Sequence, residues 1–301
     1  MFCWHLRRRE VTMSKGFLPS CCALMMMFSP AFAQDARTIV FVGGPKDHGP
    51  MGNSRHEYLK DMAVLKYCID TANLSGVRTR LFNGKAPSMR ILSTASAIVM
   101  ESSGDRTPEE THALFPQDAL TDHKTYDAYT LDRLNQFDEL MKKGAGLVAI
   151  HYTTWVNNET GRKYWLDWLG GVADYGQDDS RVLVTKWSAK PVTAAHPILR
   201  GIKPWTYDQE EFFFKEKLPE DPRRTPLLTV TRPEGGDAEL VSWAVERSGG
   251  GRGFVFTGSD FHANMSLDPH RRMLANAVLW AAKVEVPAGG VSCQPPDDLL
   301  K

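Results

Sequence analysis

Three short aliphatic runs that each lead into a histidine constrain this chain more than any other feature. The runs are residues 38–42 (TIVFV) before His48, residues 146–150 (GLVAI) directly before His151, and residues 253–257 (GFVFT) before His262. Short apolar runs bounded by glycine are typical of strands that are buried on both faces of a parallel sheet. Because ligands bind beyond the carboxyl ends of such strands, the pattern predicts an α/β fold with a histidine-rich site at one end of the sheet.

Residues 1–33 have the layout of a secretory signal peptide. Basic side chains precede an apolar stretch over residues 17–32, and Ala31, Phe32 and Ala33 form a small-x-small cleavage pattern. The apolar stretch is interrupted by Pro19 and Pro30 and is too short to span a membrane well. We therefore predict cleavage after Ala33 and a periplasmic or secreted mature protein without a membrane anchor.

The mature chain has no electrostatic pattern for nucleic acid. Residues 1–33 contain four basic side chains and one acidic side chain, so their removal changes the formal charge from +0 to −3. Polyanions are bound through clustered Lys and Arg, and an acidic chain is not expected to bind them.

Two of the five cysteines, Cys68 and Cys293, remain after the predicted cleavage. Cys68 shares a predicted helix face with Leu65 and Ile69, which favours burial. A disulfide between Cys68 and Cys293 is the alternative in an oxidising compartment, and the sequence leaves both open.

The rest of the chain reads as one domain over residues 34–291 whose carboxyl-terminal half is rich in strands. Apolar periodicity predicts helices over residues 58–73, 129–143, 162–169 and 269–283. It predicts further strands over residues 77–82, 97–100, 182–187, 207–214, 227–230 and 240–245. Residues 292–301, with Pro295 and Pro296, are expected to form an irregular tail.

Several motifs occur in a fixed order between Thr38 and Val291. They are residues 43–49 (GGPKDHG), 55–58 (RHEY), 146–151 (GLVAIH), 196–202 (HPILRGI), 210–213 (EEFF), 253–257 (GFVFT) and 261–262 (FH). Together they resemble the trehalose-utilisation, or ThuA-like, family. The resemblance implies the class I glutamine amidotransferase-like fold, a flavodoxin-like parallel sheet with helices on both faces. It also implies a small-molecule carbohydrate as ligand, in particular an oxidised, keto sugar, and joint action with a sugar oxidoreductase.

Enzymes of that superfamily that hydrolyse glutamine carry a cysteine on the tight turn after a central strand. The equivalent turn here is Ile150, His151 and Tyr152, and neither Cys68 nor Cys293 is near it in the sequence. We therefore do not expect a cysteine-dependent glutamine amidotransferase, and we expect no nucleotide cofactor.

The candidate site combines imidazoles with a carboxylate. The candidate metal ligands are His48, His56, His151 and His262, and the candidate catalytic residues are His151, His262 and Glu211. Strand alternation puts Glu210 and Glu211 on opposite faces, and we assign Glu211 to the pocket. This set suits a divalent metal such as zinc. The same residues also suit a metal-free pocket that transfers protons or binds sugar hydroxyls, and both interpretations stay open.

The candidate substrate-binding residues are His48, His56, Tyr152, Trp155, Asp260 and Asn264. Asp260 and Asn264 flank His262 and are expected to orient its ring, as Asp47 is expected to orient His48. The sequence thus favours an enzyme that hydrolyses, eliminates or isomerises a sugar. The alternatives are a non-catalytic carbohydrate-binding protein with the same pocket and an interaction module whose histidines brace loops. The oligomeric state is not predicted.

Overall fold

One mixed sheet and its flanking helices make up the computed structural model, which describes residues 1–2, 36–104, 112–114, 128–156, 158–173 and 181–301. The strands are β1 Arg37–Gly43, β2 Val77–Asn83, β3 Ala97–Glu101, β4 Gly146–Ile150, β5 Arg181–Pro191, β6 Trp205–Phe214, β7 Arg224–Thr231, β8 Glu239–Glu246 and β9 Arg252–Phe256. The α-helices are α1 Tyr58–Thr71, α2 Met89–Leu92, α3 Ala128–Lys142, α4 Glu159–Leu169 and α5 Asp268–Ala281.

The strand order within the described residues is β2-β1-β3-β4-β9-β8-β7-β5-β6. Strands β2, β1, β3, β4 and β9 are parallel, whereas β8, β7, β5 and β6 each pair antiparallel with their neighbours. The predicted α/β class is confirmed. The sheet is mixed rather than parallel throughout, because the strand-rich half adds antiparallel strands to the edge of β9 instead of forming a layer of its own.

Helices cover both faces of the parallel half. Along β1, Ile39 and Phe41 belong to one hydrophobic core, which includes residues of α1 and α5, while Val40 and Val42 belong to a second core with residues of α3 and α4. Successive side chains of a strand point to opposite faces. The continuous aliphatic runs of the sequence are therefore strands with a core on each side.

The antiparallel half curls so that its last strand, β6, returns to the end of β9. The amide of Phe213 donates to the carbonyl of Thr257 at 3.4 Å, and Thr257 Oγ1 donates to the carbonyl of Phe213 at 2.6 Å. Thr257 follows directly after β9. The curl thereby brings side chains of β6 to the carboxyl ends of the parallel strands.

Helix α4 begins at Glu159, three residues before its predicted start at Arg162. The Asn158 side chain caps it by accepting from the amides of Thr160 at 2.9 Å and Gly161 at 3.2 Å. Such a cap satisfies amides that have no partner within the helix. Apolar periodicity contains no information on a polar cap, so the helix predicted from it begins too late in the sequence.

Cys68 and Cys293 form a disulfide. Cys68 on α1 is joined to Cys293, which lies 225 positions later in the sequence, with the Cα atoms 5.1 Å apart. Leu299 and Leu300 pack against the core, so the predicted irregular tail is attached to the domain.

The predicted signal peptide lies outside the described residues except for Met1 and Phe2, and its cleavage stays a prediction. In the described part of the chain, no helix has both the length and the apolar character needed to cross a membrane.

Candidate functional site

Two buried histidines meet at the carboxyl ends of the parallel strands. His151 directly follows β4 and is fully buried, and His56 precedes α1 with only 2% of its surface exposed. Their Nε2 atoms are 3.1 Å apart. Both residues have positive φ angles, 52° for His151 and 49° for His56. Such backbone conformations are unfavourable for a side chain with a Cβ atom and are found most often at functional sites.

Two carboxylates complete this group. Asp260, on the loop after β9, places Oδ1 3.0 Å from His56 Nε2 and 3.9 Å from His151 Nε2. Oδ1 is buried and accepts no hydrogen bond of normal geometry. Glu211 of β6 joins them, and one ligand atom from each of the four residues lies within 4.8 Å of the others. Buried imidazoles and carboxylates at such separations are suited to hold a divalent metal ion.

Further hydrogen bonds fix the two rings. His151 Nδ1 donates to the carbonyl of Thr257 at 3.1 Å, which leaves the lone pair of its Nε2 facing His56. His56 Nδ1 contacts Asp47, whose carboxylate also accepts from the Tyr58 hydroxyl at 3.1 Å. Metal-binding histidines are usually held in this way, with the second nitrogen donating to a carbonyl or a carboxylate.

The electrostatic environment gives the two histidines opposite protonation states. Burial, together with the charge of His56, lowers the pKa of His151 to about 3. Burial also opposes the charged form of His56, but interactions with Asp260 and Asp47 outweigh it and raise the pKa of His56 to about 9. Burial favours neutral Asp260, yet its interactions with His56 and Arg55 lower its pKa to about 2. Burial and repulsion from Asp260 raise the pKa of Glu211.

Arg55 connects the two carboxylates. Its Nε donates to Asp260 Oδ2 and its Nη2 to Glu211 Oε2, each at 2.7 Å. Backbone pairing of Arg55 with Phe261 holds the loop before α1 against the segment after β9. The sequence gives Arg55 no role at the site, because nothing in it indicates that residues 205 positions apart are paired.

A cavity of about 570 Å³ opens above the four residues. Its lining residues are His48, Arg55, His56, Tyr152, Trp155, Val182, Glu211 and Phe213. The rings of Tyr152, Trp155 and Phe213 contact one another with centroids 5.5 to 5.8 Å apart and form an aromatic wall. His48 lies at the mouth, where its Nδ1 is 3.1 Å from Asp47 Oδ1. The expected contact between Asp47 and His48 is confirmed.

The structure brings together most of the predicted site residues. These are His48, His56, His151, Tyr152, Trp155, Glu211 and Asp260. It does not bring in His262, whose Nδ1 lies 2.5 Å from Asp61 Oδ1 of α1, and so His262 is outside the group suited to a metal. Asn264 instead donates to Glu210 Oε2 at 2.9 Å. The prediction that Asp260 and Asn264 orient His262 is wrong, because both side chains are engaged elsewhere.

Glu210 and Glu211 point in different directions, as the alternation predicted. Glu210 is fully buried, and its Oε1 accepts from the amides of Glu211 at 2.8 Å and Asp260 at 3.0 Å. Burial raises the pKa of Glu210 to about 8. Glu210 therefore supports the backbone beneath the site, while Glu211 faces the cavity.

Several solved structures share this fold. A ThuA-like protein from Parabacteroides merdae aligns with a TM-score of 0.55 and 16% identity, over 88% of this chain and 94% of that chain. A ThuA-like protein from Bacteroides uniformis aligns with a TM-score of 0.55 and 12% identity, over 84% and 95% of the two chains. A cytoplasmic protein from Salmonella typhimurium gives a TM-score of 0.52 and 14% identity, over 81% and 98%. At these identities the likeness shows the fold alone.

A comparison with curated protein sequences finds no match. The model of the ThuA family, described as trehalose utilisation, matches residues 84–281. The matched region contains His151, Glu211 and Asp260, whereas Arg55 and His56 precede it. This match spans well over half of the chain, and the chain belongs to the ThuA, or trehalose utilisation, family.

Proposed function

We propose that this protein is an exported enzyme that acts on a sugar or a keto sugar and uses a divalent metal ion held by His56, His151 and Asp260. The observation that carries the proposal is Asp260 Oδ1, a buried carboxylate oxygen that lies 3.0 and 3.9 Å from two imidazole nitrogens and accepts no hydrogen bond of normal geometry. An unsatisfied buried oxygen costs free energy. A cation would satisfy it, and two imidazoles with a carboxylate are a common zinc-binding set.

Each residue of the site has a defined part in this proposal. When bound, a divalent ion supplies Lewis acidity toward a substrate oxygen. Thr257 and Asp47 hold the rings of His151 and His56 in place. Glu211, with its raised pKa, faces the cavity and takes or returns a proton, which hydrolysis, elimination and isomerisation all require.

The cavity supports a sugar as substrate. Tyr152, Trp155 and Phe213 offer apolar ring faces to the CH groups of a pyranose, while His48 offers polar contacts at the mouth. A volume of about 570 Å³ is within the range of small-molecule sites. The family description, trehalose utilisation, points to the same substrate class. We further propose that a sugar oxidoreductase supplies the keto form.

Two further features support the finer predictions. The disulfide Cys68–Cys293 fits an oxidising compartment, which favours export to the periplasm or beyond. The order β2-β1-β3-β4-β9 of the parallel half follows the flavodoxin-like arrangement of a doubly wound sheet.

The metal content of purified mature protein tests this proposal. Elemental mass spectrometry should find a divalent metal near one equivalent in the wild type, and His151→Asn should lose it. His270→Asn is the matched control, because His270 is equally buried and hydrogen-bonded, to Tyr207, on α5. Failure of the wild type to retain added Zn²⁺, Mn²⁺ or Co²⁺ would overturn the metal site. Retained metal and sugar affinity without turnover of any sugar or keto sugar would instead identify the carbohydrate-binding protein.

A further inference from the structure

Arg55 donates hydrogen bonds to one oxygen of Asp260 in the proposed metal site and to one oxygen of the neighbouring Glu211. Its Nε donates to Asp260 Oδ2 and its Nη2 donates to Glu211 Oε2, each at 2.7 Å. The other oxygen of Asp260, Oδ1, faces His56 Nε2 at 3.0 Å. The two oxygens of Asp260 therefore have different partners. Oδ2 faces the arginine, and Oδ1 faces the histidines.

The position of Arg55 is itself fixed by the surrounding chain. Its guanidinium lies 5.4 Å from the centroid of the Phe261 ring. Its amide donates to Asn53 Oδ1 at 3.1 Å, and its carbonyl accepts from Lys46 Nζ. The adjacent amide of His56 donates to the carbonyl of Asp260 at 2.9 Å. A planar guanidinium held this firmly orients two carboxylates at once, which a lysine ammonium does not do.

We infer that Arg55 is a positioning residue that makes Asp260 present a single oxygen to the bound ion and leaves one oxygen of Glu211 to face the cavity. The inference rests on the proposed function. Carboxylates bind metal ions through one oxygen or through both, and binding through both raises the coordination number. Catalytic metal sites keep a position open for water or substrate. Restricting Asp260 to one oxygen is a way to preserve such a position.

Cobalt titration of the mature protein tests this inference. Four- and five-coordinate Co²⁺ absorbs visible light far more strongly than six-coordinate Co²⁺, so the band intensity reports on coordination number independently of activity. We expect an intense band for the wild type and at least a twofold weaker band for Arg55→Met, with Co²⁺ affinity within tenfold. The control Arg80→Met removes an exposed arginine that also lies over an aromatic ring, Phe82, and should leave the spectrum unchanged.

The outcomes separate this inference from the proposed function. If the wild type binds no Co²⁺, both are overturned. If wild type and Arg55→Met bind Co²⁺ with the same spectrum, only the role of Arg55 is overturned. Complete loss of binding in a folded Arg55→Met protein also overturns it, because Arg55 would then be needed for binding itself. If circular dichroism shows that Arg55→Met does not fold, the same titration is made with Arg55→Lys. We then expect a weakened band, and an unchanged band would contradict the inference.

Discussion

The Nε2 atoms of His56 and His151 face each other at 3.1 Å. His151 Nδ1 donates to the Thr257 carbonyl, so His151 Nε2 carries no proton and presents a lone pair. The proton between the two rings therefore belongs to His56. The charged form of His56 is stabilised by the carboxylates of Asp47 and Asp260. In the metal-free protein a proton on His56 therefore occupies the place where the site would bind a cation, and proton and cation compete.

This competition predicts that metal binding releases a proton at neutral pH. With a pKa of about 9, His56 is protonated below that pH and must lose its proton to become a ligand. Metal affinity should therefore rise with pH by about tenfold per unit between pH 6 and 8. Calorimetric titrations in two buffers of different ionisation enthalpy should give about one proton released per ion. An affinity independent of pH over this interval would show that His56 is not a ligand.

Replacing Asp47 should weaken metal binding without removing a ligand. Its carboxylate contacts His56 Nδ1, and loss of such a partner costs about 10- to 100-fold in metal affinity. We expect a loss of this size for Asp47→Asn in competition with a chromophoric chelator. The control is Asp70→Asn, an exposed aspartate on α1 that accepts from Thr79. Equal affinity of the two variants would place the Asp47 contact outside the metal site.

The sequence was sufficient to predict where the site lies but not how its side chains turn. Aliphatic runs located β4 and β9, because strands buried on both faces have few other patterns. His151 and His262 both follow such strands, yet only His151 joins the cluster. His262 begins a 3-10 helix over His262–Ser266 and pairs with Asp61 of α1. Strand periodicity ends at the last strand residue, and the loop beyond it is set by tertiary contacts.

The disulfide is expected to contribute to stability rather than to the site. Cys68 and Cys293 are 225 positions apart, and a disulfide that closes so long a loop restricts the unfolded chain strongly. The double variant Cys68→Ala/Cys293→Ala should lose about 2 to 5 kcal/mol of unfolding free energy in urea. Reductant should destabilise the wild type similarly and leave the variant unchanged. A wild type that is insensitive to reductant under conditions that break the bond would contradict this expectation.

A buried carboxyl group beneath the site is expected to make stability depend on pH. Glu101 ends β3 and is fully buried, and neither of its carboxyl oxygens accepts a hydrogen bond of normal geometry. Burial, and then repulsion from Asp61, raises the pKa of Glu101 well above its usual value. The unfolded chain loses this proton near pH 4.5, whereas the folded chain keeps it to higher pH. Stability is therefore lost progressively as the pH rises from the unfolded to the folded pKa.

Glu101→Gln removes this titration while keeping the size of the side chain. The variant and the wild type should have similar unfolding free energies at pH 5, and the variant should be more stable at pH 8 by about 1 kcal/mol or more. Urea denaturation at the two pH values measures the difference. Glu246→Gln, at the exposed end of β8, is the control and should show no such dependence. A Glu101→Gln protein that is less stable than the wild type by the same amount at both pH values would mean that Glu101 is ionised and paired in the fold.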